Sequence, residues 1–306
     1  MPLTRKSIKI LQWILSAFIL FAAILVWTTT QEKKDGAMTP QVVMIKFGAD
    51  GRQDAKNQGF STMNHPSGVY RYQIHWDDPA KLGIVKYIQG PYSFDVDNVM
   101  IATGLGDKDS PEDGVDNWDI NFNISSSKTT SHEEGRDKVM SLLGRLRSAG
   151  WKRYVYAASP RLAGREALKY VSSESGALYS LDSTYTPTID EWKNLITVEP
   201  RWIFYADGVF LTLSLSYQSS GSPDMGYYLT DIQVSTASDH YTPYFTDSVE
   251  RRKKWEKLIS DELKPAREER SKKEAELKAL GYTIDATYQP PPFEAPDFSA
   301  KADNAH

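Results

Sequence analysis

The feature that most limits this chain is the run from Ile10 to Trp27, in which only Gln12 and Ser16 are polar and nothing is charged. Its 18 residues just reach the length a helix needs to cross a hydrocarbon core of about 30 Å. The backbone finds no water to bond in lipid, so such a run can only be a helix there. Arg5, Lys6 and Lys9 precede it, and the first acidic residue is Glu32. The positive-inside bias then puts the tip in the cytoplasm and the bulk of the chain in the periplasm, as a single-pass protein of a bacterial inner membrane. Trp13 and Trp27 would sit near headgroup depth, with Phe18 and Phe21 in the hydrocarbon between them. A cleaved signal peptide is the competing reading. The length of the run argues against it, as does Leu25-Val26-Trp27 where a small-x-small cleavage site belongs.

The expected layout is a tip and anchor over 1–30, a linker over 31–41 and a periplasmic domain over 42–245, with a possible subdomain boundary near 174–181. A charged helix over 246–281 and a Pro-rich, disordered tail over 282–306 complete it. The chain has no Cys, which excludes disulfides, thiolate metal sites and Cys nucleophiles. Its formal charge is −4, and three positive side chains precede Ile10, so the body is more acidic still. That argues against nucleic-acid binding, which needs a basic face.

Within the domain, Tyr70, Tyr72, Ile74 and Trp76 alternate with polar residues, as do Trp118, Ile120, Phe122 and Ile124. This period of two marks half-buried strands. Val42–Phe47, 84–88, 99–103 and 151–157 read as further strands, and the Gly- and Asn-rich stretch Ala49–Gly68 reads as loop. Val139, Leu142, Leu143 and Leu146 form the stripe of a helix over 133–148. Ser159-Pro160 reads as the start of a short helix ending near Val171, and Thr188 to Glu191 as a capping box. Ala206-Asp207-Gly208 between apolar runs is a hairpin turn, and with Tyr227–Ser235 it gives an antiparallel meander. Thr246 would cap a last helix through Leu263, broken at Pro265. The fold class expected is α+β: a transmembrane helix, then a largely antiparallel sheet with packed helices.

Catalytic signatures are absent. There is no Gly-x-Ser-x-Gly elbow and no Gly-Lys-Ser/Thr phosphate loop. Gly104-Leu-Gly106 lacks the third Gly of a dinucleotide loop. Ser125-Ser-Ser-Lys128 has serine-acylase spacing but falls in a polar turn. No two histidines have zinc-like spacing, and the acidic loop from Asp107 has Pro111 and Glu112 where a calcium loop needs an Asp or Asn and a Gly. No cofactor and no metal are expected, and the chain reads as a binding protein rather than an enzyme.

The stretches Gly150–Tyr154, Ser159–Ala167, Tyr185–Trp192 and Trp202–Val209 resemble envelope proteins of Gram-negative bacteria encoded beside type VI secretion lipase effectors. The likeness covers the middle third of the chain. It implies an immunity partner, anchored on the periplasmic side, that blocks a secreted phospholipase by occluding its active site. The alternative is a structural or adaptor component of an envelope assembly, docking through the charged helix and the tail. On either reading, contact is expected from two exposed loops. One carries Asp107, Asp109, Glu112, Asp113 and Asp116; the other, Gln218–Gly226, carries Asp224 and Met225.

Overall fold

A computed structural model describes residues 40–66, 68–107, 113–173 and 178–296. The expected span, with Trp13, Phe18, Phe21 and Trp27, lies outside the described residues. Among the described residues no helix is long and apolar enough to cross a membrane.

The fold is α+β, and among the described residues it is built on one mixed, mostly antiparallel sheet of eleven strands. These are β1 (Val42–Ile45), β2 (Ser61–Asn64), β3 (Val69–His75), β4 (Gly83–Tyr87), β5 (Phe94–Asp107), β6 (Asn117–Asn123), β7 (Thr130–Ser131), β8 (Lys152–Arg153), β9 (Arg201–Ala206), β10 (Val209–Ser219) and β11 (Met225–Thr236). The main order is β1-β4-β5-β6-β11-β10-β9-β8. One edge of β5 is shared between β4 and β3, β2 pairs with β3, and β1 runs parallel to β4. The helices are α1 (Gly48–Asn57), α2 (His132–Ser148), α3 (Gly164–Ser173), α4 (Ile189–Leu195), α5 (Ala237–Tyr241), α6 (Val249–Arg252), α7 (Trp255–Glu262) and α8 (Lys264–Ala279).

Local chemistry explains the best-defined elements. Asp207 and Gly208 have φ of 47° and 71°, the two positive values that a two-residue hairpin turn demands. The turn joins β9 to β10 in register from Val209↔Ala206, and β11 completes the meander. Ser131 caps α2 by accepting from the Glu134 amide at 3.1 Å, and Thr188 and Glu191 form the capping box of α4.

The two faces of the sheet differ. One carries Trp118, Ile120, Phe122, Leu211, Leu213, Ile232 and Val234. The stripe Val139, Leu142, Leu143 and Leu146 of α2 buries against it, with residues of α3 and α4. Gly104 of β5 is required there: a Cβ would come within 2.8 Å of the Trp118 ring. On the other face a second apolar cluster covers only the end nearest the hairpin turn. Ile203, Tyr205 and Phe210 meet Tyr241, Phe245, Trp255 and Ile259 from α5 to α7 and their connection.

At the outer edge of β1, Gln58 acts as a substitute strand. Its side-chain oxygen accepts from the Met44 amide at 2.6 Å, and its Nε2 donates to the Met44 carbonyl at 2.7 Å.

Several expectations are corrected. Ala49–Gly68 is not all loop, because α1 and β2 occupy much of it. Ala55 is 1 % exposed against the core, and that burial outweighs poor helix propensity. Ser159-Pro160 does not start a helix. α3 begins at Gly164, whose amide donates to Asp182 Oδ2 at 2.8 Å, a cap supplied from 18 residues away. Thr246 does not cap a helix; Ser248 caps α6, and the remainder is divided between α7 and α8.

The C-terminal region is packed. Glu274 of α8 is 5 % exposed and takes both Nε (2.8 Å) and Nη2 (2.7 Å) of Arg161, while Arg270 donates to the Tyr156 carbonyl at 2.5 Å. The segment 282–296, expected to be disordered, lies extended along the domain. The Val155 amide donates to the Tyr288 hydroxyl at 2.9 Å, the Ala295 amide donates to Glu256 Oε1 at 2.9 Å, and Phe293 meets Tyr241 edge-on. Proline kept the segment extended, but its aromatic residues gave it a surface to bury. Residues 297–306 lie outside the described residues.

Two stability outcomes follow. Gly208→Ala is expected to cost at least about 1–2 kcal/mol from the left-handed backbone alone. The added Cβ would also lie 2.3 Å from the Pro296 nitrogen. Denaturant unfolding checks this. Glu274→Ala removes a bidentate partner from the partly exposed Arg161 and is expected to cost about 1–3 kcal/mol by the same measurement.

Candidate functional site: the open face of the sheet

Beyond the hairpin end, the second face of the sheet is polar and no helix of the two apolar clusters lies over it. The strand registers align its side chains in rows that cross six strands. One row is Gln73, Thr103, Asp119, Gln233 and Thr212, ending on β9 at Ile203 under the second apolar cluster. The next is His75, Ile101, Asn121, Asp231, Ser214 and Arg201. The alternation that buries Trp118 and Ile120 on one side sends Asp119 and Asn121 to the other. Gln73 Nε2 donates to Thr103 Oγ1 at 3.0 Å, tying β3 to β5 across this face.

Asp119 and Asp231 are diagonal neighbours on the adjacent central strands β6 and β11. Their carboxyls hydrogen-bond to each other. Asn121 Nδ2 also donates to Asp119 Oδ1 at 2.5 Å. Burial raises the proton affinity of both acids. For Asp231 the nearby Asp119 raises it further, well above the usual carboxylate range.

The residues expected to make contact lie at two separate places on the sheet. Asp107 ends β5, Asp113 is exposed and Asp116 half-buried; Asp109 and Glu112 lie outside the described residues. Burial, then the charges of Asp239, Asp113 and Asp107, hold the Asp116 carboxyl well above the usual range. Asn117, one residue on, donates to Asp239 Oδ2 at 2.9 Å. Asp224 and Met225 lie at the other end of β11. The Asp116 carbonyl accepts from the amide of Thr236, the last residue of that 12-residue strand, whereas Met225 is its first. At about 3.3 Å per residue the two loops stand roughly 35 Å apart, too far to form one small patch. Asp224 is exposed and ion-paired with Lys193 at 3.3 Å; Met225 is 36 % exposed and pairs with Ser131.

Asp119 and Asp231 were not among the expected site residues. The alternation marks each as polar-facing, but only the pairing of β6 with β11, 112 residues apart at Asp119 and Asp231, brings them together.

Catalytic arrangements are not assembled at the places considered. Ser125 is 3 % exposed, and the lysine at its Oγ is Lys138 (2.9 Å), not Lys128. Lys138 is ion-paired with Glu134 at 2.9 Å, and an ammonium so held has no lone pair to take a proton. Among the described residues no three His, Asp or Glu side chains converge as metal ligands. A cavity under α3 and α4, lined by Leu168, Leu181 and Trp202, has about 10 Å³ of room, no more than one water needs. Comparison with known protein families, with characterised proteins and with solved structures finds no match.

Because Asp116 binds its proton more tightly folded than unfolded, it favours the folded state at low pH, and that contribution is lost as pH rises through its folded value. Asp116→Asn is therefore expected to flatten the fall in thermal midpoint as pH rises above the ordinary aspartate range. Calorimetry at several pH values checks it.

Proposed function

We propose that the chain is an inner-membrane-anchored periplasmic protein that binds a toxic lipase and occludes its active site. The open polar face carries the reading. Among the described residues no helix of the apolar clusters lies over this face beyond its hairpin end, and a rigid sheet with rows of short polar side chains suits a hydrogen-bonded interface. The apolar run at 10–27 supplies the anchor, and the resemblance of the middle third to proteins encoded beside lipase effectors supplies the partner. The inhibition is steric, with no chemistry asked of this chain. Contact is assigned to the face across β3 to β9, with the Asp224–Met225 loop at its margin. The adaptor alternative draws less support, since the charged helix and the tail as far as residue 296 are folded against the domain.

The test is rescue of cells that express the neighbouring lipase in the periplasm. The wild-type chain is expected to restore growth, and Ser214→Trp, a bulky group in the middle of the face, to reduce rescue at least about tenfold at unchanged protein level, as truncation of interface contacts commonly does. Failure of the wild type to rescue sinks the immunity reading. Full rescue by Ser214→Trp moves the contact to another surface.

A further inference from the structure

The central strands β6 and β11 place two carboxyls against each other on a face that is otherwise made of neutral side chains near its middle. We propose that Asp119 and Asp231 share one proton, and that its release makes the charge of the open face depend on pH. Three observations meet here. First, the register sets the two acids diagonally on adjacent strands. At that spacing long or charged side chains still interact, and two desolvated carboxylates repel. Second, Asp231 Oδ1 is buried without a donor. A proton on Asp231, donated to Asp119, removes that deficiency, because an ionised carboxylate can only accept. Third, Asn121 donates to Asp119, a hydrogen bond that strengthens when Asp119 is the ionised member.

The surroundings fix the charge balance. From β3, Arg71 and His75 face the pair, and from β9, Arg201 does. β5 and β10 present Thr103, Thr212 and Ser214, all uncharged, and β2 presents Ser61 and Met63. One row along, past Asn117, stand Asp116 and Asp239. Arg71 eases the charge on Asp119 and Arg201 that on Asp231, yet burial outweighs both. With one proton in the pair, its single negative charge lies between two arginines. Loss of the proton to solvent adds a second negative charge between the two central strands. A neutral Asn at either position would hold the strands together without this cost, so the pair fits a role in sensing rather than in stability.

The sign of the effect is fixed. Asp231 favours the folded chain below the unfolded carboxylate range, and that stabilisation disappears as pH rises through its folded value. The experiment is a pH titration of the full-length chain in micelles, with aspartate carboxyl carbons labelled with ¹³C and followed by NMR, beside thermal unfolding. One carboxyl is expected to titrate above the exposed aspartates, and its signal should vanish in Asp231→Asn. In that variant the pH slope of stability should change by one proton per chain. Asp119→Asn gives the same test if Asp231→Asn does not fold. Both acids titrating with the exposed aspartates, or equal slopes in wild type and variant, would overturn the proposal. Neither readout requires a partner, so the outcome is independent of the lipase reading.

Discussion

The structure depends on the antiparallel pairing of β6 with β11. It joins a strand from the first half of the chain to one from the second, and so makes one sheet of what would otherwise be two ribbons. Every row across the platform passes through this seam. It also puts Trp118 beside Val234 in the helix-covered core and Asp119 beside Gln233 on the bare side. A one-residue slip would exchange the two sets, sending carboxyls into the apolar core and the indole of Trp118 to the polar face, so the apolar core fixes the register.

What could be read from the residues was what is determined within a few positions. The turn at Asp207-Gly208, the capping box at Thr188 and the stripe of α2 all appear where local chemistry puts them. The misreadings share one cause, a decision taken far away in the chain. Gly164 begins its helix because Asp182 reaches its amide, and 282–296 is ordered because Tyr288 and Phe293 find partners in distant segments. α1 forms although Gly48, Gly51 and Asn57 disfavour it, since Ala55 has a core to enter.

The candidate surface was half legible for the same reason. Alternation showed which residues of each strand would be polar-facing. It did not say which strands would be neighbours, and an acid pair exists only once they are. The acidic loop is dense in charge, yet charge that is close in sequence is cheap when solvated. Two isolated aspartates brought together mid-sheet are costly, and the cost makes them informative.

The grip of Gln58 on Met44 has a consequence for behaviour in company. The outward amide and carbonyl of Met44 are the groups with which a neighbouring copy would begin to zip. A single side chain already occupies both, so the ladder ends at β1 with a blunt terminus. Copies crowded together would meet a border whose outward groups at Met44 are already taken, and self-assembly is discouraged at that point.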